Sequence, residues 1–354
     1  RSAFTRFALR SATVLAAWAT LAVAQAGELT IYSSVEADNL KVFSDRFAKA
    51  HPSIKINWVR DSTGITQARL MAEKDNPRND VIFGHAATDL LALDAAGLFL
   101  PYAPAGVDKL DARYRDKKSP PTWSGLWGFA AAVCFNTVEA AKRNIPKPAS
   151  WADLTKPVYK GQITMPNPAS SGTGFLTIAG WVQIMGKDKA WSYMDALHGN
   201  IAAYSHSGSK PCNQVASGEY VVGISLPGRA ADLKTKGAPI EAVIPSEGIG
   251  WEMQGVSIMK STKNAADAKT FVDWAVSEAA MEAYASMVEV VAYPVKTPRR
   301  ENMPADVATR MINRWESVGP GTPTLRLVRN DRLEANFTVP ENEARELKVG
   351  VPVE

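Results

Sequence analysis

The feature that most limits the fold of this chain is an alternation between two hydrophobic periods. Short runs of β-branched and apolar residues, bounded by turn residues, alternate with segments in which apolar residues recur at helical spacing. This alternation is typical of sheets whose strands are connected and covered by helices. The predicted strands are residues 29–33, 55–59, 80–84, 127–136, 161–165, 201–204, 220–225, 240–244 and 255–259. The sequence therefore predicts an α/β fold.

The helical segments carry their apolar residues on one face. Leu40, Phe43 and Phe47 have this spacing between the first two predicted strands, and residues 265–287 predict one long amphipathic helix. The 354 residues suffice for two domains of ordinary size. No low-complexity linker separates them, so we expect two lobes joined by strands or short crossings.

Residues 1–26 have the pattern of a secretory signal peptide. Arg1, Arg6 and Arg10 precede an apolar stretch over residues 11–24, and residues 24–26 (Ala-Gln-Ala) supply the small side chains of a cleavage site. The stretch is shorter than the roughly 20 residues that a membrane-spanning helix needs. We expect cleavage before Gly27 and a periplasmic location.

The charge balance argues against a polyanionic partner. The chain has 40 Lys and Arg residues and 36 Asp and Glu residues, which gives a net charge of +4, and no basic block stands out. Nucleic-acid-binding surfaces usually carry a concentrated positive charge. We therefore expect no nucleic acid partner.

The two cysteines, Cys134 and Cys212, are expected to form a disulfide because export places them in an oxidising compartment. Two buried thiols are the alternative. A catalytic thiol is less favoured because no histidine is close to either cysteine in the sequence. The four histidines lack the spacing of a zinc site, so the sequence predicts no metal site and no cofactor.

Four segments resemble one family of exported proteins. Residues 28–34, 80–84, 98–102 and 134–137 are similar to the periplasmic solute-binding proteins of ABC importers, within them most similar to the branch that binds ferric ion and 2-aminoethylphosphonate. The resemblance covers about residues 28–296. It implies a periplasmic binding protein-like type II fold, with two lobes that each contain a sheet flanked by helices and a ligand cleft between them.

The resemblance also implies a division of the chain and a set of partners. Lobe 1 is expected to comprise residues 27–130 and 256–300, and lobe 2 residues 131–255. The C-terminal segment, residues 301–354, departs from the usual family ending. The implied partners are a small-molecule ligand and the permease subunits of an ABC importer, and the binding protein is expected to be a monomer. A protein that signals through a membrane receptor is an open alternative.

The strongest local indication of the ligand is the loop at residues 168–174 (Pro-Ala-Ser-Ser-Gly-Thr-Gly), which precedes a predicted helix at 175–185. A helix N-terminus rich in hydroxyl groups offers hydrogen-bond donors and a positive dipole end to an oxyanion. The alternative is that these residues only cap the helix. Hydroxyl-rich loops also follow three other predicted strands. The predicted ligand-binding residues are Ser33, Ser34, Ser62, Thr63, Ser170, Ser171, Gly172, Thr173 and Ser207.

An amine on the ligand would need a carboxylate or an aromatic face. Trp251 and Glu252, after the turn at residues 248–250, are the favoured pair, and Glu36 and Asp61 are alternatives. Together with the oxyanion loops, they favour 2-aminoethylphosphonate as the ligand. Phosphate, sulfate, ferric ion and a polyamine are the alternatives.

Two other functions are less favoured. Ferric ion demands anionic oxygen ligands, but residues 226–229 (Leu-Pro-Gly-Arg) stand where the ferric branch normally has adjacent tyrosines, and Ile65 stands where it has an acid. Residues 207–210 match the S-x-x-K pattern of an exported serine hydrolase, but the S-D-N and K-T-G partner motifs are absent. The sequence therefore predicts a binding protein and not an enzyme.

Overall fold

The structure is a computed structural model that describes residues 27–288, 290–293, 295–296, 300–304 and 307, together with the backbone of residues 326–329 and 333–336. The predicted signal peptide, residues 1–26, lies outside the described residues. Most of the C-terminal segment at residues 301–354 also lies outside them. Within that segment, residues 326–329 and 333–336 pair as two antiparallel strands.

The first sheet has six strands, in the spatial order β11-β4-β10-β3-β1-β2. Strands β2, β1 and β3 are parallel, and β10 runs antiparallel to both of its neighbours. The strands are β1 (Gly27–Ser33), β2 (Ile54–Arg60), β3 (Val81–Ala86), β4 (Ser124–Ala130), β10 (Trp251–Ile258) and β11 (Val290–Val291).

The second sheet has five strands, in the order β7-β6-β8-β5-β9. Strands β7, β6 and β8 are parallel, whereas β5 is antiparallel to β8 and β9. The strands are β5 (Ala132–Asn136), β6 (Ile163–Pro166), β7 (Ile201–Ser205), β8 (Val222–Ser225) and β9 (Ile240–Val243). The predicted α/β fold with two helix-flanked sheets is thereby confirmed.

The α-helices of the described residues divide between the sheets. We call the first sheet with its helices lobe 1 and the second sheet with its helices lobe 2. Lobe 1 contains α1 (Ala37–Ala50), α2 (Thr63–Ala72), α3 (Ala87–Ala95), α9 (Ala265–Ala275) and α10 (Glu278–Ala285). Lobe 2 contains α4 (Thr137–Arg143), α5 (Gly172–Met185), α6 (Lys187–His198), α7 (Lys210–Ala216) and α8 (Pro227–Thr235).

Each lobe has its own buried core. In lobe 1, the rings of Phe43, Phe83, Trp127 and Tyr284 pack together at centroid distances between 4.6 and 6.2 Å. Phe43 and Phe47 of α1 lie in this core, as the helical spacing predicts. The core of lobe 2 is a separate cluster. Because each lobe has its own core, each lobe keeps its own surface facing the space between the lobes.

The prediction of a single strand over residues 127–136 is wrong. β4 ends at Ala130 in one sheet and β5 begins at Ala132 in the other. At the crossing, the N–H of Ala131 donates to the carbonyl of Gly250, 3.1 Å away, where the chain returns to lobe 1. Because the apolar run continues unbroken through the crossing, its hydrophobic period cannot reveal a change of sheet. The exact lobe boundaries stay predictions.

Three further element boundaries differ from the prediction. The long helix expected at residues 265–287 is two helices, because the hydroxyl of Ser277 accepts a hydrogen bond from the N–H of Ala280 and caps α10. The strand expected from residue 255 already begins at Trp251, and the helix expected from residue 175 begins at Gly172.

The expected disulfide is confirmed. It joins Cys134 of β5 to Cys212 of α7, with the two Cα atoms 5.5 Å apart. Both residues are fully buried in a cluster with Val215 of α7 and Ala230 of α8. The bond therefore fixes α7 against β5, an interior strand of the second sheet.

A third segment connects the lobes after β11. Met303 and Val307 pack against the core of lobe 2, and the side-chain amide of Asn302 donates to the hydroxyl of Thr235 at the end of α8, 2.9 Å away. Among the described helices, none is both long enough and apolar enough to cross a membrane.

Candidate functional site

A cleft lies between the two lobes. Its empty volume is about 870 Å³, including the open mouth, and residues from both lobes line it.

The N-termini of four helices line the cleft, α1 and α2 from lobe 1 and α5 and α8 from lobe 2. A helix N-terminus presents N–H groups without intrahelical partners, together with the positive end of the helix dipole. No side-chain cap occupies the N-termini of α1, α2 and α8, and the hydroxyl of Ser171 accepts only a long bond, 3.4 Å, from Gly174 in α5. The cleft therefore offers an anion several donors that need no buried cation.

The N-termini of α2 and α5 approach each other closely across the cleft. The N–H of Gly64 donates to the carbonyl of Ser170, 3.1 Å away. A Cβ atom on Gly64 would lie 2.6 Å from the carbonyl oxygen of Ala169, and one on Gly172 would lie 2.7 Å from the Thr63 hydroxyl. The two glycines are therefore required for the lobes to come this close.

Polar contacts at the rim also join the lobes. The His206 ring is 2.9 Å from the Asp61 carboxylate, and the Ser62 hydroxyl donates to the carbonyl of His206 at 3.1 Å. Burial raises the pKa of Asp61, but the hydrogen bonds from His206 and from the N–H of Ser62 outweigh it, so the pKa lies below its ordinary value. The Asp61 carboxylate is therefore held in its charged form.

Three arginine–carboxylate pairs also line the cleft. Arg60 pairs with Glu36 at 3.2 Å within lobe 1, and Arg229 of lobe 2 pairs with Asp38 of lobe 1 at 3.0 Å. Arg300 pairs with Asp232 and also donates to the carbonyl of Met287 at 2.5 Å. Since each guanidinium has one carboxylate partner, this group of side chains carries no net charge.

The Asp38–Arg229 pair spans the cleft and has further support. Burial raises the pKa of Asp38, but the hydrogen bond and the charge of Arg229 hold it below its ordinary value. The Arg229 Nε donates to the side-chain oxygen of Asn213 in α7 at 2.9 Å. The guanidinium is thus oriented by one residue from each lobe.

A polar group on an aromatic wall completes the lining. The indole N–H of Trp127 donates to the side-chain oxygen of Gln254 at 2.6 Å, and Phe129 lies on the same wall. Because the Gln254 oxygen is already engaged by Trp127, its amide nitrogen keeps its two donors for other partners.

The structure brings together six of the predicted ligand-binding residues. The cleft lining includes Ser34, Ser62, Thr63, Ser171, Gly172 and Thr173. The Ser34 hydroxyl donates to the carbonyl of Gly84 at 2.8 Å, which fixes its position beside β3.

The other predicted hydroxyl residues lie at the margin or beneath the cleft. Ser33 is fully buried, and its hydroxyl accepts a bond from the N–H of Val35. The Ser170 hydroxyl donates to the carbonyl of His206 at 3.2 Å, and the Ser207 hydroxyl accepts from the backbone N–H of Lys210 at 3.3 Å. Their roles in binding stay predictions.

The pair predicted for an amine, Trp251 and Glu252, is placed outside the cleft lining. Trp251 packs against the core of lobe 2. The Glu252 carboxylate accepts a bond from the N–H of Thr88 in the first turn of α3, 2.7 Å away, and burial raises its pKa to about 7. Of the two alternative acids, Glu36 lines the cleft and Asp61 lies at its rim.

Sequence reasoning missed the charged lining of the cleft. These residues are Arg60, Arg229, Arg300, Asp38 and Asp232. Arg60 ends β2, directly before the hydroxyl-rich loop. Its position in the sequence could therefore have indicated that it lies near the predicted site. Nothing local indicates that Arg229 meets an aspartate 191 positions away. Among the described residues, no group of three or more His, Cys, Asp or Glu could hold a metal ion.

Comparison with known proteins agrees with this architecture. Residues 80–318 match the family model described as bacterial extracellular solute-binding protein. An uncharacterised protein of Haemophilus influenzae is 34% identical over 72% of this chain and 75% of its own length. The chain belongs to the bacterial extracellular solute-binding protein family. Its biochemical class is therefore solute binding, and it is not an enzyme.

Two other members are similar over most of their length. The chain is 27% identical to a Sinorhizobium fredii protein named as a probable ABC transporter periplasmic-binding protein, over 89% of this chain and 88% of that one. It is 32% identical to the periplasmic binding protein AfuA of Actinobacillus pleuropneumoniae, whose structure has fructose-6-phosphate bound, with a TM-score of 0.75 over 81% of this chain and 92% of that one. This solute-binding protein therefore shares its fold with a periplasmic binding protein whose structure has a ligand bound.

Proposed function

We propose that this solute-binding protein is the periplasmic component of an ABC importer, and that it captures a small organic solute by a phosphate or phosphonate group. The observation that carries the proposal is the convergence of the N-termini of α1, α2, α5 and α8 on one cleft. The group is expected to bind where α2 and α5 meet, at an anion end formed by Ser62, Thr63, Ser171, Gly172 and Thr173.

The chemistry of the anion end suits a doubly charged oxyanion. Backbone N–H groups and hydroxyls can surround several oxygen atoms at once, and hydrogen bonds to a charged acceptor are stronger than those to a neutral one. Ser171 and Thr173 are nearly buried, so few of these bonds would compete with water. An anion held by neutral donors also avoids the cost of burying a protein cation.

The relatives support the two parts of the proposal separately. The name of the Sinorhizobium fredii relative supports a role in an ABC transporter. The fructose-6-phosphate in the AfuA structure supports a phosphorylated ligand. A membrane receptor as the downstream partner is the alternative to a permease.

2-Aminoethylphosphonate is the second candidate ligand. Its phosphonate fits the anion end, and the Glu36 and Asp38 carboxylates in the lining are the groups that would bind its ammonium. Both carboxylates already pair with arginines, however, which lowers their attraction for an additional cation. We therefore rank it below a phosphate ester. Ferric ion ranks lower still, because it requires a set of anionic oxygen ligands.

A thermal-shift panel on residues 27–354 tests the class of ligand. A ligand at 100 times its dissociation constant stabilises the folded state by about 2.7 kcal/mol. We expect hexose 6-phosphates, glycerol 3-phosphate or 2-aminoethylphosphonate to raise the melting temperature, and ferric citrate to leave it unchanged. A rise with ferric citrate and none with any phosphate or phosphonate would overturn the proposal.

Small-angle scattering tests capture by lobe closure. Rigid-body closure of two lobes around a ligand reduces the radius of gyration. We expect a smaller radius with a bound phosphate ester than without it. An unchanged radius with a ligand that gives a clear thermal shift would contradict the closure mechanism while leaving the ligand class intact.

A further inference from the structure

We propose that this cleft selects a phosphorylated solute whose other end carries neutral hydroxyl groups, and that the Asp38–Arg229 pair sets this selectivity. The inference rests on the proposed function, because it takes the phosphoryl group to occupy the anion end. It concerns the charged part of the lining, which we call the paired end and which consists of Arg60–Glu36, Arg229–Asp38 and Arg300–Asp232.

The paired end has both strong donors and strong acceptors in the same space. A guanidinium offers five N–H donors, and in Arg229 the Nε donates to Asn213 and one Nη to Asp38. Donors on the two Nη atoms are left over. The Asp38 carboxylate in turn can accept more than one bond. A hydroxyl group both donates and accepts, so it can bond to the two members of the pair together.

A solute whose second end is charged should bind poorly at the paired end. A carboxylate that approached Arg229 would also approach Asp38, so it would gain one attraction and meet one repulsion. An ammonium group that approached Asp38 would meet Arg229 in the same way. The three one-to-one pairs therefore act against both signs of charge, which is specificity by repulsion as well as by attraction. Neutral hydroxyls avoid the penalty.

The pair also connects recognition to the arrangement of the lobes. Asp38 belongs to α1 of lobe 1, whereas Arg229 belongs to α8 of lobe 2 and is oriented by Asn213 of α7. The two halves of the hydroxyl-binding group are therefore together only when the lobes are as close as they are in this structure. A solute with hydroxyls at this position would bond to both lobes at once.

Calorimetric titration with three phosphate esters of similar size tests the selectivity. Glycerol 3-phosphate has a neutral second end, 3-phosphoglycerate a carboxylate and O-phosphoethanolamine an ammonium group. We expect the wild-type protein to bind glycerol 3-phosphate at least about tenfold more tightly than either of the others. Tighter binding of 3-phosphoglycerate or O-phosphoethanolamine would overturn the inference while the proposed function stands. No binding of any phosphate ester would overturn both.

Two variants of the pair test its role by opposite shifts. In Asp38→Asn, Arg229 loses its counter-charge, so the preference should move towards 3-phosphoglycerate by about tenfold. In Arg229→Gln, Asp38 is left alone, so the preference should move by a similar factor towards O-phosphoethanolamine. A loss of stability alone would weaken all three esters together and would leave their ratios unchanged.

Asp45→Asn is the matched control. It removes a carboxylate from the same helix, where Asp45 pairs with Lys41 on an exposed face outside the cleft lining. We expect wild-type affinity ratios in this control. Unchanged ratios in both Asp38→Asn and Arg229→Gln, or equal shifts in Asp45→Asn, would overturn the role of the pair.

Discussion

The two parts of the cleft that we propose to bind the ligand differ in their chemistry. The anion end has neutral donors, namely helix N-termini and hydroxyl groups, and it lies where Gly64 and Gly172 let the lobes approach each other closely. The paired end has six charged side chains that neutralise one another. Helix dipoles without a partner can bind a negatively charged group, whereas charged side chains that are already paired favour a polar but uncharged group. The position of a group in the cleft therefore matters as much as its charge.

Removal of the disulfide should give the largest loss of stability. It should also weaken binding at the paired end. In Cys134→Ser with Cys212→Ser, loss of the cross-link over a sequence separation of 78 residues should lower the free energy of unfolding by up to about 4 kcal/mol. α7 also carries Asn213, so the variant should bind glycerol 3-phosphate less tightly and inorganic phosphate nearly as well. Urea unfolding and calorimetry measure the two effects. Wild-type protein in dithiothreitol is the control, and equal loss of both ligands would contradict this division.

Gly64→Ala should abolish the close approach at the anion end. A Cβ at this position would overlap the carbonyl oxygen of Ala169, and a backbone atom cannot move aside as a flexible side chain can. We expect affinity for phosphate esters to fall by about a hundredfold, or about 2.7 kcal/mol. Gly199→Ala is the control, because a Cβ there meets only one atom, the Ala196 carbonyl oxygen at 3.4 Å. Wild-type affinity in Gly64→Ala would show that the contact is not needed.

Glu252→Gln should change stability and leave both ends of the cleft intact. Burial raises the pKa of this carboxyl from 4.5 to about 7, so between these pH values the folded protein binds more protons than the unfolded chain. Its stability therefore falls as the pH rises through this window. The variant lacks this penalty and should be about 3 kcal/mol more stable at pH 8, with the difference vanishing below pH 4.5. Thermal unfolding across pH checks this, and a large loss of ligand affinity would place Glu252 in the binding site instead.

Ser171→Ala should produce the smallest of these effects and is specific to the anion end. It removes a hydroxyl donor and the cap of α5, and we expect affinity for phosphate esters to fall about tenfold. Ser277→Ala is a matched control because it removes the equivalent cap of α10 in lobe 1, away from the cleft lining. Both variants should lose about 1 kcal/mol of stability. An equal loss of affinity in both would mean that the effect is one of stability alone.

The sequence by itself determined much of the fold and of the anion end. Most strand positions, the helix faces and the disulfide could be predicted because hydrophobic period, turn residues and an oxidising location act over short stretches or follow from composition. Ser62, Thr63 and the 171–173 group could be found because hydroxyl residues at a helix start have a local chemical meaning. Their association in one cleft required the structure, because the two loops follow strands of different sheets, β2 and β6.

Only the tertiary structure decided the change of sheet at Ala131, the position of Glu252 against Thr88, and the pairing of Arg229 with Asp38. The sequence separations in the two hydrogen bonds are 164 and 191 positions. Local periodicity contains no information about which distant side chain completes a charge pair or caps a helix, because that choice is made by the packing of whole lobes. The hydroxyl-rich loops could therefore be predicted from the sequence, whereas the charge pairs required the structure.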